Sequence, residues 1–179
     1  MFACGCSRWA VGVLTILLLT ADSPVLAQVQ TPTAANGDQR DHSIVYELGF
    51  AGEWSRSEGF HPGGTIAFEV TAIEHWLELE VGFTALRGDG TTEMPVDVLF
   101  KKPWQISPTF ELMIGLGPEV IHATGPDSGT FWGLSSVIDL MFWPKKNVGW
   151  YVEPAYEITF RDGGTGRGLG IAAGLLIGR

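Results

Sequence analysis

The stretch HWLELEVGFTAL, residues 75–86, decides how the rest of the chain reads. Leu77, Leu79, Val81, Phe83 and Ala85 occupy alternate positions, with Glu78, Glu80, Gly82 and Thr84 between them. Alternation with period two puts the two sets on opposite faces of a β-strand. One face is greasy and the other acidic or small, and Trp76 stands where the strand starts. What the greasy face meets, a protein core or lipid, determines the class of protein.

Working outward, seven more segments repeat the pattern from residue 43 onward. Before the opening stretch, Ile44, Tyr46, Leu48, Phe50 and Trp54 oppose Val45, Glu47, Gly49, Ala51 and Glu53, and Ile66, Phe68, Val70 and Ala72 oppose Ala67, Glu69 and Thr71. After it, Val96, Val98 and Phe100 alternate with Asp97, Leu99 and Lys101, and Phe110, Leu112, Ile114 and Leu116 with Glu111, Met113 and Gly115. Trp132, Leu134, Ile138, Leu140 and Phe142 then oppose Gly133, Ser135 and Asp139. Trp150, Val152, Tyr156, Ile158 and Phe160 oppose Tyr151, Glu153 and Glu157, and Leu169, Ile171, Ala173, Leu175 and Ile177 oppose Gly170, Ala172, Gly174 and Gly178. Segments of about ten residues suit tilted strands that cross a bilayer, and an even number of antiparallel strands closes without an exposed edge. Short links at residues 74–75, 102–107 and 144–147 alternate with Gly-rich ones at 55–64, 87–92, 121–129 and 161–166, which predicts short turns at one end and longer loops at the other. Trp76, Trp104, Trp143 and Trp150 fall at the short-turn end, as a membrane-interface girdle of indoles requires.

Composition agrees. Charged residues are 17% of the chain and hydrophobic ones 45%, with 24 glycines, so the chain is apolar beyond the usual soluble range. Residues 1–27 read as a secretory signal peptide: Arg8, an apolar run over 9–20 that falls short of the ~20 residues of a spanning helix, and Val25-Leu26-Ala27 before the cut. Cys4 and Cys6 lie inside it, which excludes a disulfide framework. Residues 28–42 form a polar, aperiodic leader, and 43–179 the folded domain. The net charge of −9 argues against nucleic acid as a partner.

On these residues the domain resembles the eight-stranded outer-membrane β-barrel family, the OmpA-like, OmpX-like and OmpW-like group. The resemblance rests on pattern over residues 43–179, without a diagnostic motif. Members commonly finish on an aromatic residue, whereas this chain finishes LLIGR. The resemblance implies an all-β, antiparallel, up-and-down transmembrane barrel in a bacterial outer membrane. It implies a structural, surface-interaction or minor porin-like transport role and a monomeric state. The implied partners are the lipid bilayer, lipopolysaccharide and the outer-membrane assembly machinery. The alternative fold is a secreted, soluble, lipocalin-like barrel, with the apolar faces turned in around an apolar ligand. The scarcity of lysine and the density of glycine on the polar faces favour lipid outside and a filled lumen inside.

In that arrangement Glu47, Glu53, Glu69, Glu78, Glu80, Asp97, Glu111, Asp139, Glu153 and Glu157 line the lumen, with Lys101 as its clearest cation. One lysine cannot balance so many acids, so protons, water or a cation should accompany them. A lipid A-modifying acyl hydrolase is a third reading, since some barrels of this family are such enzymes. Its candidates are His122, Thr124 and Glu119, because an activated hydroxyl needs a base and an acid that orients it. His42, His61, His75 and His122 are isolated, so no metal spacing appears and no cofactor is expected.

Overall fold

The computed structural model describes residues 43–55, 59–126, 128–161 and 163–179. The stretches expected to be signal peptide and leader, residues 1–42, and Arg56, Glu58 and Asp127 lie outside the described residues. Eight strands follow in chain order: β1 Ile44–Ser55, β2 Gly59–Ile73, β3 Leu77–Gly88, β4 Thr91–Ser107, β5 Phe110–Thr124, β6 Gly129–Phe142, β7 Val148–Arg161 and β8 Gly164–Gly178. Each pairs antiparallel with its neighbour in sequence, and β8 returns to β1 to close the barrel. The closing ladder runs from Val45 opposite Gly178 to Ser55 opposite Gly168. All backbone edges are thereby used, as a lipid surroundings demands.

Period-two alternation becomes an inside and an outside. Glu47, Glu69, Glu80, Lys101 and Asp139 are buried, whereas Leu48, Phe50, Ile66, Leu116, Ile138 and Leu175 stand outward and exposed. Phe50 is 84% exposed and Leu116 58%, so in water this exterior would be one continuous apolar surface. The soluble lipocalin-like reading is therefore corrected: its ligand cavity would need the greasy face inside, and here the inside is charged.

The predicted loop asymmetry is also corrected. Several strands run further than the Gly-rich sequence suggested, β2 beginning at Gly59, β5 reaching Thr124 and β8 beginning at Gly164. The links left between strands at that far end, residues 56–58, 89–90, 125–128 and 162–163, are as short as those at the end where β1 begins and β8 finishes. RGDG folds as a two-residue hairpin in which Asp89 and Gly90 both have positive φ, 49° and 80°, the pairing that a type I′ turn requires. Strand glycines, among them Gly88 from a stretch that reads as loop, are seated against large side chains. Gly82 faces the Asp97 carboxylate, Gly133 the Glu119 carboxylate, Gly168 that of Glu53 and Gly88 the His61 ring, where an added Cβ would collide. This is the large-against-small filling of a narrow barrel.

Gly117 is needed by the backbone itself. The β4–β5 ladder pairs Asp97 with Glu119 and Phe100 with Leu116 but skips the residues between, where Pro118 has no N–H to donate. There a Cβ on Gly117 would run into the Val98 carbonyl. Gly117→Ala is expected to lower barrel stability by about 1–3 kcal/mol, because a strand must shift. Gly164→Ala, with open space around it, should change it by less than about 0.5 kcal/mol. Urea titration of the refolded barrel checks both, and equal midpoints for the two variants would refute the close-approach argument.

The girdle is corrected at one position. Trp76, Trp104 and Trp150 are exposed on the exterior, Trp150 stacked on Phe142 at 4.1 Å between centroids and Phe142 tilted against Phe110 at 4.7 Å. Trp143 is 2% exposed and joins Val45, Met113, Met141, Tyr151 and Leu176 in an apolar cluster inside the barrel. The reason is parity: Trp143 is in phase with Asp139 and Met141, which face inward, so its level was read correctly and its face was not. Trp54 and Trp132 are both 64% exposed at the far end.

Candidate functional site in the barrel lumen

Alternation projects the polar residues of every strand into one column, and their order follows from strand direction. At the end where β1 begins and β8 finishes is a cavity of 590 Å³, lined by Glu69, Glu78, Glu111, Met113, Met141 and Trp143 among others. Glu78 hydrogen-bonds Thr71 at its wall, and Lys102 at the rim donates to the His75 carbonyl at 2.6 Å.

Deeper, Lys101 reaches across the lumen from β4 and is wholly buried, at 0% exposure. Its ammonium donates to Asp139 Oδ2 at 3.0 Å on β6 and to Glu153 Oε2 at 2.7 Å on β7. It also pairs with Glu80 on β3, and Glu69 on β2 stands 3.8 Å away. Glu47 on β1 completes the layer: one oxygen each from Glu47, Glu69, Glu80 and Asp139 lies within 4.8 Å of the others. Burial without partners would cost such charges several kcal/mol each, so the ammonium is what keeps this layer together.

Beyond it a cavity of 60 Å³ is lined by Glu47, Glu53, Asp97, Glu119 and Glu157 among others. Asp97 accepts the Gly82 N–H at 2.9 Å. Glu53 on β1 and Glu157 on β7 meet within hydrogen-bond reach at its wall. At the far end Glu93 accepts from Arg161 at 3.0 Å and lies 3.7 Å from His61 Nδ1, while the Arg161 guanidinium covers the Phe131 ring at 4.7 Å. The lumen is a column of polar layers, filled at Lys101 and bridged again at Glu93.

All the lumen residues expected from the sequence, Glu47, Glu69, Glu78, Glu80, Lys101, Glu111, Asp139, Glu153 and Glu157, lie on inward-facing positions of their strands. Sequence reasoning missed His61, Glu93 and Arg161 because it placed them in or beside loops. The signal was present, since Glu93 is in phase with Asp97 and Lys101, and Arg161 with Glu157. The hydrolase candidates are not brought together. Glu119 is buried in the lumen, whereas His122 and Thr124 are exposed on the opposite face of β5. An offset of three residues along a strand separates them across the sheet. His122 instead meets Thr130 at 3.1 Å, and Thr124 donates to the Thr92 carbonyl at 3.4 Å.

A closed antiparallel barrel with an apolar exterior, aromatic residues at both rims and a filled polar interior is a transmembrane barrel of the bacterial outer-membrane type. No protein-family model matches the chain, and no curated protein matches it in sequence. Among solved structures it is similar to Neisserial surface protein A, NspA, at a TM-score of 0.60 and 15% identity over 76% of this chain and 96% of that one. It is also similar to the outer membrane protein OprG of Pseudomonas aeruginosa, at a TM-score of 0.55 and 12% identity over 75% of this chain and 94% of that one. The chain thus has the eight-stranded outer-membrane barrel fold, and its continuous apolar surface is the one that location requires.

Proposed function

We propose that this protein is a monomeric, closed outer-membrane barrel whose role is structural, its lumen plugged rather than open. The observation that carries this reading is Lys101, wholly buried and bonded to carboxylates from the far wall of the barrel, Asp139 on β6 and Glu153 on β7. Short links at both ends leave little loop surface for adhesion, which weakens the surface-interaction reading. Arg87 and Arg167, exposed and outward at the far end, supply guanidinium groups for lipopolysaccharide phosphates. A minor path for protons or small cations is the second reading, supported by the acid-lined cavities on either side of the Lys101 layer.

Planar-bilayer recordings separate the two. The plugged barrel is expected to show no unitary conductance at neutral pH, with or without Glu78→Gln. Cation-selective steps that Glu78→Gln abolishes would overturn the plug in favour of the path.

A further inference from the structure

We infer that Glu47, Glu69, Glu80 and Asp139 form a site for a hard divalent cation of calcium size inside the lumen. The inference goes beyond the plug, since cation uptake is measurable whether or not the barrel conducts. The donors are all carboxylate oxygens, which select hard cations over thiophilic ones. Coordination habit matters too: Ca²⁺ accepts oxygens in a flexible, irregular arrangement at about 2.4 Å, whereas Mg²⁺ demands a near-ideal octahedron and gives up its waters reluctantly. One oxygen from each of the four side chains lies within 4.8 Å of the others, without any rearrangement.

A second observation is independent of the clustering. Glu47 is 4% exposed, and its Oε1 has no hydrogen-bond partner. Asp139 gives Oδ2 to Lys101 and leaves Oδ1, also fully buried, without one. Buried acceptors left in this state call for a ligand, because unsatisfied burial is costly. Asp139 can serve the ammonium with one oxygen and a cation with the other.

Charge points the same way. Glu47, Glu69, Glu80, Asp139 and Glu153 surround a single ammonium, so a divalent ion moves the layer toward neutrality where Lys101 alone does not. Access is provided as well. Glu69 belongs both to the cluster and to the wall of the 590 Å³ cavity, whose Glu78 and Glu111 make an acidic approach from the end where β1 begins. The histidine and cysteine spacing rules could not find such a site, because its ligands come from four strands.

The test uses the full chain refolded in detergent micelles, stripped with EDTA and dialysed against CaCl₂ alone or MgCl₂ alone. About one Ca²⁺ per barrel is expected, with Mg²⁺ held at least about tenfold more weakly. Glu47→Gln keeps the side-chain shape and leaves the Lys101 pairs in place. It should weaken Ca²⁺ uptake by about tenfold or more while the heat-modifiable gel shift shows a folded barrel. Should Glu47→Gln not fold, Glu47→Asp, which keeps the charge and withdraws the carboxylate by one methylene, supplies the comparison with the Lys101 pairs again left in place. Absence of uptake by the folded wild type, equal uptake by a folded variant, or Mg²⁺ bound as tightly as Ca²⁺ would overturn the assignment.

Discussion

Lys101→Met is expected to destabilise the barrel by about 3–5 kcal/mol, the range for removing one partner of a buried ion network. Methionine nearly preserves the volume, so the loss is electrostatic. Asp139, Glu153, Glu80 and Glu69 face the ammonium at 3.0 Å, 2.7 Å, direct contact and 3.8 Å, and all four lose it together. The measurement is the urea midpoint of refolding in micelles, with heat-modifiable mobility reporting closure. Adding Glu80→Gln and Glu153→Gln to Lys101→Met should recover part of the loss, since fewer uncompensated charges remain. A single variant as stable as wild type would mean that the acids of this layer are held by something other than Lys101.

The second large effect belongs to the exterior. Leu116 lies near the middle of β5, 58% exposed and flanked by Phe100 on β4 and Ser136 on β6. Leu116→Arg is expected to cost about 2–4 kcal/mol in a lipid bilayer, the penalty for a guanidinium near the midplane of a barrel's lipid face. On a water-facing surface the same substitution would fall within about 0.5 kcal/mol of zero. Refolding titrations into phospholipid vesicles distinguish these values, and a neutral result would remove the membrane reading of this face. Arg at Ser128, exposed in a far-end link, serves as the neutral control.

The residues that define the fold were legible because strand alternation is a local property. Each of the eight segments announces its two faces with no knowledge of its partners, and Glu78 and Glu80 are assigned inward from their own neighbours. Where a segment carried turn-forming residues, local reading stopped early. Gly63, Gly88 and Gly168 look like loop in isolation, yet they sit in strands, Gly63 close against the Ala85 carbonyl, Gly88 against the His61 ring and Gly168 against the Glu53 carboxylate. The same effect hid Glu93 and Arg161, whose 3.0 Å bond joins β4 to β7. Trp143 differs for another reason: its height along the barrel matches the girdle, but its phase with Asp139 and Met141 turns it inward.

The sequence alone therefore determined that this chain is an all-β barrel with lipid outside and acids inside, since period two, apolar excess and strand length are carried by consecutive residues. Which acids meet was decided only by the tertiary structure. Glu47, Glu69, Glu80, Lys101, Asp139 and Glu153 come from six different strands. Their meeting depends on barrel closure and on the stagger between neighbouring strands, which no single segment encodes. In a barrel this narrow, that register decides whether one ammonium touches carboxylates on the opposite wall. The cluster that opened as Glu78 and Glu80 on one strand thus becomes a layer centred on Lys101, with Glu80 inside it and Glu78 in the cavity leading to it.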